Sequence, residues 1–372
     1  MTIPFQTSAG PTLGVEMELQ LIDAQTGSLA PRGPELVAYC EAHPETGLSL
    51  KPELVQATIE INTGICRDVA EVERDLGAQL VRLSELGKQS GIAIASAGTH
   101  PFAPWRERRY TPTPRYQALL EKHVWTARRM QIYGLHVHVG MPDGDTAIQV
   151  INQLTQYAPL LLALSANSPF WEGDDTGLAS CRTKVFENLS AAGLPFRFDD
   201  WAGYERLVEV LLSTGSIQTQ REIWWDIRPH SDFGTVEVRI CDAPRTLAEV
   251  CALTALVQCL AVHFARQYKE GKEARLVHAA IIRENKWRAC RWGLDGELID
   301  PMTLTPVPTR RLIEETVAEM MPLAEELGCT TYLEGVRTIL KEGNGATRQR
   351  RIFAETHSLL AVVHDLEAGL AG

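Results

Sequence analysis

Four short segments alternate apolar with ionisable residues. In Leu13-Gly14-Val15-Glu16-Met17-Glu18-Leu19-Gln20-Leu21 the even positions carry Glu16, Glu18 and Gln20. Thr58-Ile59-Glu60-Ile61-Asn62 presents Thr58, Glu60 and Asn62 on one side, and Leu135-His136-Val137-His138-Val139 presents two histidines. Thr235-Val236-Glu237-Val238-Arg239-Ile240 presents Glu237 and Arg239. Successive side chains of a strand point to opposite faces, so each segment, as a strand, sends its charge one way. A merely solvated face is rich in Thr, Ser and Lys, whereas these faces carry Glu, His and Arg and no Lys. Several carboxylates on a shared surface repel one another unless a cation sits among them. An oxygen-rich set with one or two imidazoles suits Mg²⁺ or Mn²⁺. The spacing leaves open which of His136 and His138 is the ligand; the other would orient a carboxylate.

Mg²⁺ commonly arrives with nucleotide phosphates. Arg239, and Arg228 in Trp225-Asp226-Ile227-Arg228-Pro229-His230, have the chemistry to offset charge on phosphoryl oxygens. Arg228 precedes a proline and is expected to be extended; pairing with Asp226 is its plainer role. The chain has no P-loop and no dinucleotide fingerprint, so an ATP site here must be built from metal and arginine. Glu53, after Pro52, reads equally as a ligand or as the first-turn acid of a helix, where the dipole favours it. Cys241 is expected on the same side as Glu237 and Arg239, as packing. Trp224 and Trp225 are expected in the core or a pocket wall.

The elements that must carry these groups are legible in the periodicity. Apolar residues at helical spacing predict helices over Val69–Gln89, Thr146–Ala166, Thr246–Gln267, Thr309–Leu327 and Arg348–Leu370. Period-2 alternation predicts strands over Leu13–Ile22, Thr58–Asn62, Ile92–Gly98, Leu135–Val139 and Thr235–Cys241. Without a strict βαβ rhythm, the fold class is α+β: a curved, mainly antiparallel sheet with helices on its outer face.

The chain has 372 residues, 45% apolar and 22% charged, ordinary for a globular protein with a sizeable core. No linker divides it, so residues 1–372 are read as one catalytic domain, with the helices from about 305 as a small subdomain at most. A net charge of −11 argues against a nucleic-acid surface. The first ten residues lack a basic stretch and an apolar segment, so no signal peptide is expected. The apolar run near Ala158–Leu164 is too short to span a bilayer, and no membrane partner is expected. Eight scattered cysteines without a Cys-x-x-Cys pair indicate reduced thiols and a cytoplasmic location.

Several stretches resemble the YbdK-type carboxylate–amine ligases, also called type 2 glutamate–cysteine ligases, of the glutamine synthetase-like superfamily. They are Gly14–Glu18, Gly134–Gly140, Trp225–Pro229 and Thr235–Asp242. Leu164–Phe170, Ser180–Arg182, Glu284–Arg288 and Gly293–Gly296 agree as well. The resemblance implies a funnel-like, six-stranded antiparallel sheet with metal ligands on its inner face. It implies Glu16, Glu18, Glu53, Glu60, His136 and Glu237 as metal ligands, and Arg239 at the transferred phosphate beside Arg228. It further implies Arg182, His138, Asn285 and Arg288 as substrate- or nucleotide-binding, the last two on a flap. The default for Arg182 is a surface arginine. The implied activity is ATP-dependent: a carboxylate is activated as an acyl phosphate and an amine then forms an amide, including weak glutamate–cysteine ligation. The implied partners are a small-molecule acid and amine, and a second copy of the chain as a homodimer. Two rivals stand beside this. His-x-His on a strand is also a zinc metallohydrolase motif, although no later histidine series follows. A non-catalytic nucleotide-binding relative would keep the fold and lose a carboxylate or Arg239, neither of which is lost.

Overall fold

A computed structural model describes residues 2–370. Seven strands form the main sheet: β1 (Leu13–Asp23), β2 (Leu50–Pro52), β3 (Thr58–Asn62), β4 (Ile92–Ala95), β5 (Gly134–Gly140), β6 (Ile227–His230) and β7 (Thr235–Asp242). Their order is β6-β7-β5-β1-β3-β2, with β4 also paired to β1. Every pairing in it is antiparallel. β5 pairs with Leu13–Met17 of β1, and β4 continues that edge from Gln20 to Asp23. The alternation read from sequence is realised directly. Val15, Met17 and Leu19 of β1 and Val137 and Val139 of β5 are at most 1% exposed, in the main apolar cluster. The charged face is thereby committed to the other side. Truncating one of these side chains to alanine costs about 2–5 kcal/mol, so the register is firmly held.

Helix Val69–Gln89 has the predicted bounds, because Asp68 caps it by accepting from Glu71 N–H. Leu247–Lys269 starts with a complete capping box between Thr246 and Glu249. This helix is long and apolar enough to cross a bilayer, but 78% of its most apolar stretch is buried inside the protein. It is the core helix behind the sheet, within two residues of the Thr246–Gln267 bounds expected from its periodicity.

Two expected helices are divided. Thr146–Ala166 is Gly144–Leu154 and Ala158–Ser165 joined by a 3₁₀ turn, the second opening at Pro159, where a missing N–H is harmless. Arg348–Leu370 is Gly345–Thr356 and Leu359–Leu370, parted by His357 at φ 53°. Strands β2 and β6 and helices Pro114–Ala127 and Ala279–Trp292 lie outside the sequence-based expectations. Ile313, Val317, Leu333 and Val336 from the last helices belong to the same apolar cluster as the sheet.

Candidate active site

The strand register assembles the charged face. Glu16 lies opposite His136 on one side and Asn62 on the other. Glu18 faces Glu60, and Glu60 faces Lys51. Glu237 faces His138 and Arg228. A cavity of about 620 Å³ opens over this surface. Of the residues singled out in the sequence, Glu16, Glu18, Glu53, Glu60, His136, Arg228 and Arg239 line it. Helix Pro114–Ala127 adds Arg115, Tyr116 and Leu119, while Phe186, Leu189 and Trp224 wall it elsewhere. Trp225 is 4% exposed and packs among Phe198 and Tyr204.

Two groups of ligand atoms converge. Those of Glu18, Glu53 and Glu60 lie within 4.8 Å of one another, as do those of Glu16, His138 and Glu237. Glu53 is not a helix first-turn acid: it follows β2, and its carboxylate accepts from Leu54 N–H at 3.2 Å and Tyr116 O–H at 3.4 Å. Burial, then the charges of Glu18 and Glu60, push the Glu53 carboxyl up to about 8. Burial and neighbouring carboxylates also raise Glu60. Burial raises Glu18 despite the opposing Arg182 and Arg239 charges and the Gly134 N–H at 2.5 Å from its Oε2. Three carboxyls driven towards protonation in one pocket are what a hard divalent cation relieves, and all-oxygen donors fit Mg²⁺.

The second group is built differently. Glu16 meets His136 Nδ1 at 3.1 Å and lies 3.5 Å from His138 Nε2. Burial would raise the Glu16 carboxyl, but the hydrogen bond with His136 and the closeness of the His138 imidazole outweigh it and hold it low. Burial pushes the His136 imidazole down, so it is neutral and has a ring nitrogen lone pair to offer. His138 meets Thr235 Oγ1 through Nδ1 at 2.9 Å, and its buried Nε2 has no hydrogen-bond partner. A second-sphere bond on one nitrogen with the other left free is the arrangement of a ligating imidazole. The geometry therefore groups His138 with Glu16 and Glu237, whereas His136 reaches the cavity beside them. Glu237, 1% exposed, accepts from Arg228 Nε at 2.7 Å and also bonds Arg239. Burial raises its carboxyl, yet the two guanidiniums hold it well below the usual range.

Four expected positions fall elsewhere. Asn285 grips the Ile299 backbone, donating from Nδ2 at 2.8 Å and accepting at 2.7 Å. Arg288 pairs with Glu284 one helical turn away at 2.9 Å. Both sit on helix Ala279–Trp292 and do not line the cavity, so no flap carries them there. Arg182 is 3% exposed, buried behind β7 rather than on the surface. Cys241 is on the apolar face opposite Leu135, because a bulge between Val238 and Cys241 inserts a residue and reverses the alternation.

Lys286 and Asp242 were given no role from sequence, and Asp226, expected as the plainer partner of Arg228, binds Lys286 instead while Arg228 binds Glu237. Lys286, 2% exposed, bonds Asp226 at 2.5 Å and Glu187 at 2.6 Å. This ion triad clamps helix Ala279–Trp292 to β6 and the cavity wall. Asp242 accepts from Ser168 Oγ at 2.6 Å, Ser180 Oγ at 2.8 Å and Asn167 N–H at 2.8 Å. Both acids lie inside recognised stretches, Trp225–Pro229 and Thr235–Asp242.

The fold is shared with solved ligases. A glutamate–cysteine ligase from Francisella tularensis, in complex with AMP, superimposes with TM-score 0.69 at 13% identity, covering 98% of this chain and 89% of that one. A bifunctional glutathione synthetase from Pasteurella multocida gives TM-score 0.70 at 14% identity, over 96% of this chain and 52% of that one. At such identities the likeness is one of fold, the glutamine synthetase-like α+β fold expected above. Residues 12–363 match the model of glutamate–cysteine ligase family 2, and the chain belongs to that family. A Gloeobacter violaceus protein provisionally named glutamate–cysteine ligase 2 is 76% identical over 371 residues, 100% of both chains. A Thermobifida fusca protein with the same provisional name is 43% identical over 368 residues, 98% of this chain and 92% of the relative. The family forms C–N bonds, and nothing in these comparisons favours a zinc hydrolase.

Proposed function

We propose that this chain activates a small-molecule carboxylate with ATP and joins it to an amine, with Mg²⁺ bound at the carboxylate clusters. The observation that carries the reading is the Glu18–Glu53–Glu60 cluster in the same cavity as Arg228 and Arg239, the two arginines bound to Glu237. Glu18, Glu53 and Glu60 would hold one ion, and Glu16, His138 and Glu237, with His136 beside them, another. When bound, such ions neutralise phosphate oxygens and relieve the repulsion between ATP and an incoming carboxylate.

The chain's own part is to orient and to offset charge. A substrate carboxylate oxygen attacks the γ-phosphorus, and the bond to the ADP oxygen breaks. Arg239 and Arg228 face the charge that builds on the transferred phosphoryl oxygens. The amine then attacks the acyl carbon, and phosphate leaves with the electron pair of the C–O bond. The amine proton is lost, and an amide remains. Phe186, Leu189 and Leu119 in the cavity wall exclude water that would hydrolyse the acyl phosphate. Glutamate and cysteine are the first acid and amine to test, because the relatives carry that name.

The eight free, buried cysteines support a cytoplasmic enzyme. A homodimer is carried over from the family resemblance alone, and sedimentation tests it. The direct test is ADP release with Mg²⁺ and ATP across a panel of acids and amines that includes glutamate with cysteine. The reading requires release that depends on both partners. Bound ATP with no release for any pair would favour a non-catalytic relative.

A further inference from the structure

The bulge in β7 creates a backbone problem beside the reacting centre. Val238 faces Val137 and Cys241 faces Leu135, so Arg239 and Ile240 together stand against His136. An inserted residue leaves ladder groups without a strand partner, and buried carbonyls need donors. One side chain supplies both. Arg182 Nη1 donates to the Ile240 carbonyl and Nη2 to the Arg239 carbonyl, each at 3.2 Å.

Arg182 is held from behind and given room in front. It lies in helix Cys181–Phe186, whose N-cap Ser180 is tied to Asp242. Its own N–H donates to Ser168 Oγ at 3.1 Å, and that hydroxyl is also bound to Asp242. In front lies Gly134, where any Cβ would collide with Arg182 Nη2. The same glycine gives its N–H to Glu18. The guanidinium therefore joins the backbone of Arg239, the anchor at Asp242 and the strand that carries the Glu18 contact, without lining the cavity itself.

We propose that Arg182 is a positioning residue: it replaces the strand partners that the β7 bulge removes and thereby aims the Arg239 side chain at the cavity. Its consequence for turnover rests on the ligase reading; its consequence for the backbone does not. The test compares Arg182→Gln, Arg182→Lys and Gly134→Ala with the unaltered protein by amide hydrogen exchange and by ADP release.

Exchange across Arg239–Asp242 is expected to quicken about tenfold or more in Arg182→Gln and Gly134→Ala, with helix Leu247–Lys269 unchanged. Arg182→Lys should be intermediate, since an ammonium on a thinner stem reaches one carbonyl more readily than two. With the best acid and amine, kcat should fall about tenfold or more while KM for ATP and acid stays within about threefold, the pattern of lost transition-state contacts. Unchanged exchange in both Arg182→Gln and Gly134→Ala overturns the proposal. So does a raised KM for the acid at unchanged kcat, which would mark Arg182 as a substrate anchor. If Arg182→Gln does not fold, Gly134→Ala decides, because it displaces the guanidinium without removing it. Absence of ADP release from the unaltered protein would count against the ligase reading, while the exchange result would still judge Arg182.

Discussion

Arg228 and Glu237 face each other across the β6–β7 pair, joined from Nε at 2.7 Å and from Nη2 at 3.3 Å. Arg239 binds the same carboxylate from within β7. One buried acid therefore holds both arginines that face the proposed phosphate. Replacing it by Glu237→Gln leaves two guanidiniums without their charge partner. The expected loss in kcat is about 100-fold or more, the scale seen when a single oriented electrostatic group is removed. Steady-state ADP release measures it, and a loss under about threefold would show that Glu237 is dispensable.

The protonation of Glu53 predicts a pH-dependent metal affinity. With its carboxyl pushed up to about 8, the metal-free site carries a proton at neutral pH that a cation must displace. Mg²⁺ affinity should rise from pH 6 to about 8 and then level, with proton release visible by calorimetry in buffers of different ionisation enthalpy. The sign for stability is opposite. A carboxyl whose folded value exceeds its unfolded one stabilises most at low pH and loses that contribution as pH climbs towards about 8. Metal-free protein should thus weaken over this range and recover on adding Mg²⁺; Glu53→Gln should flatten both responses.

His100 predicts the reverse trend away from the site. Its Nε2 donates to Gly27 O at 2.9 Å, and its Nδ1 accepts from Ala103 N–H at 3.0 Å and Phe102 N–H at 3.3 Å. Burial pulls the imidazole down to about 4, and these bonds fit only the neutral ring. The unfolded imidazole takes up its proton near 6.5, so stability is lost as pH falls from there towards about 4. The full effect is about 3 kcal/mol. Thermal unfolding of His100→Gln across this window should lack that slope; an unaltered slope would locate its origin in another group.

Lys286→Met tests the clamp behind the cavity wall. It leaves Asp226 and Glu187 without their shared buried cation, a change that costs about 3–5 kcal/mol when one partner of a buried pair is removed. Urea denaturation reads this directly, and a cost under about 1 kcal/mol would mean the carboxylates are satisfied otherwise.

The sequence showed the charged face because strand alternation is a local property. Glu16, Glu18, Glu60 and Glu237 needed only period 2 to be placed on one side, and the observed register keeps them there. β6 was missed because it is four residues long and contains Pro229. Helix Pro114–Ala127 was missed because its polar residues mask the periodicity, and Val124 at φ 44° interrupts it. The bulge had no local signature, so Cys241 was placed on the wrong face. Asn285 and Arg288 were chosen from a recognised stretch in which Lys286 is the residue that reaches towards β6. Recognition of a stretch did not say which of its side chains point inward; that is decided by partners far away in sequence.

The central claim is that a substrate carboxylate takes the γ-phosphoryl group of ATP. The most direct measurement uses the acid giving the strongest ADP release, labelled with ¹⁸O in its carboxylate, in a turnover with the amine. The account predicts that the released phosphate carries one labelled oxygen for each amide formed. Unlabelled phosphate accompanying amide formation would contradict an acyl phosphate and, with it, the roles assigned to Arg228 and Arg239.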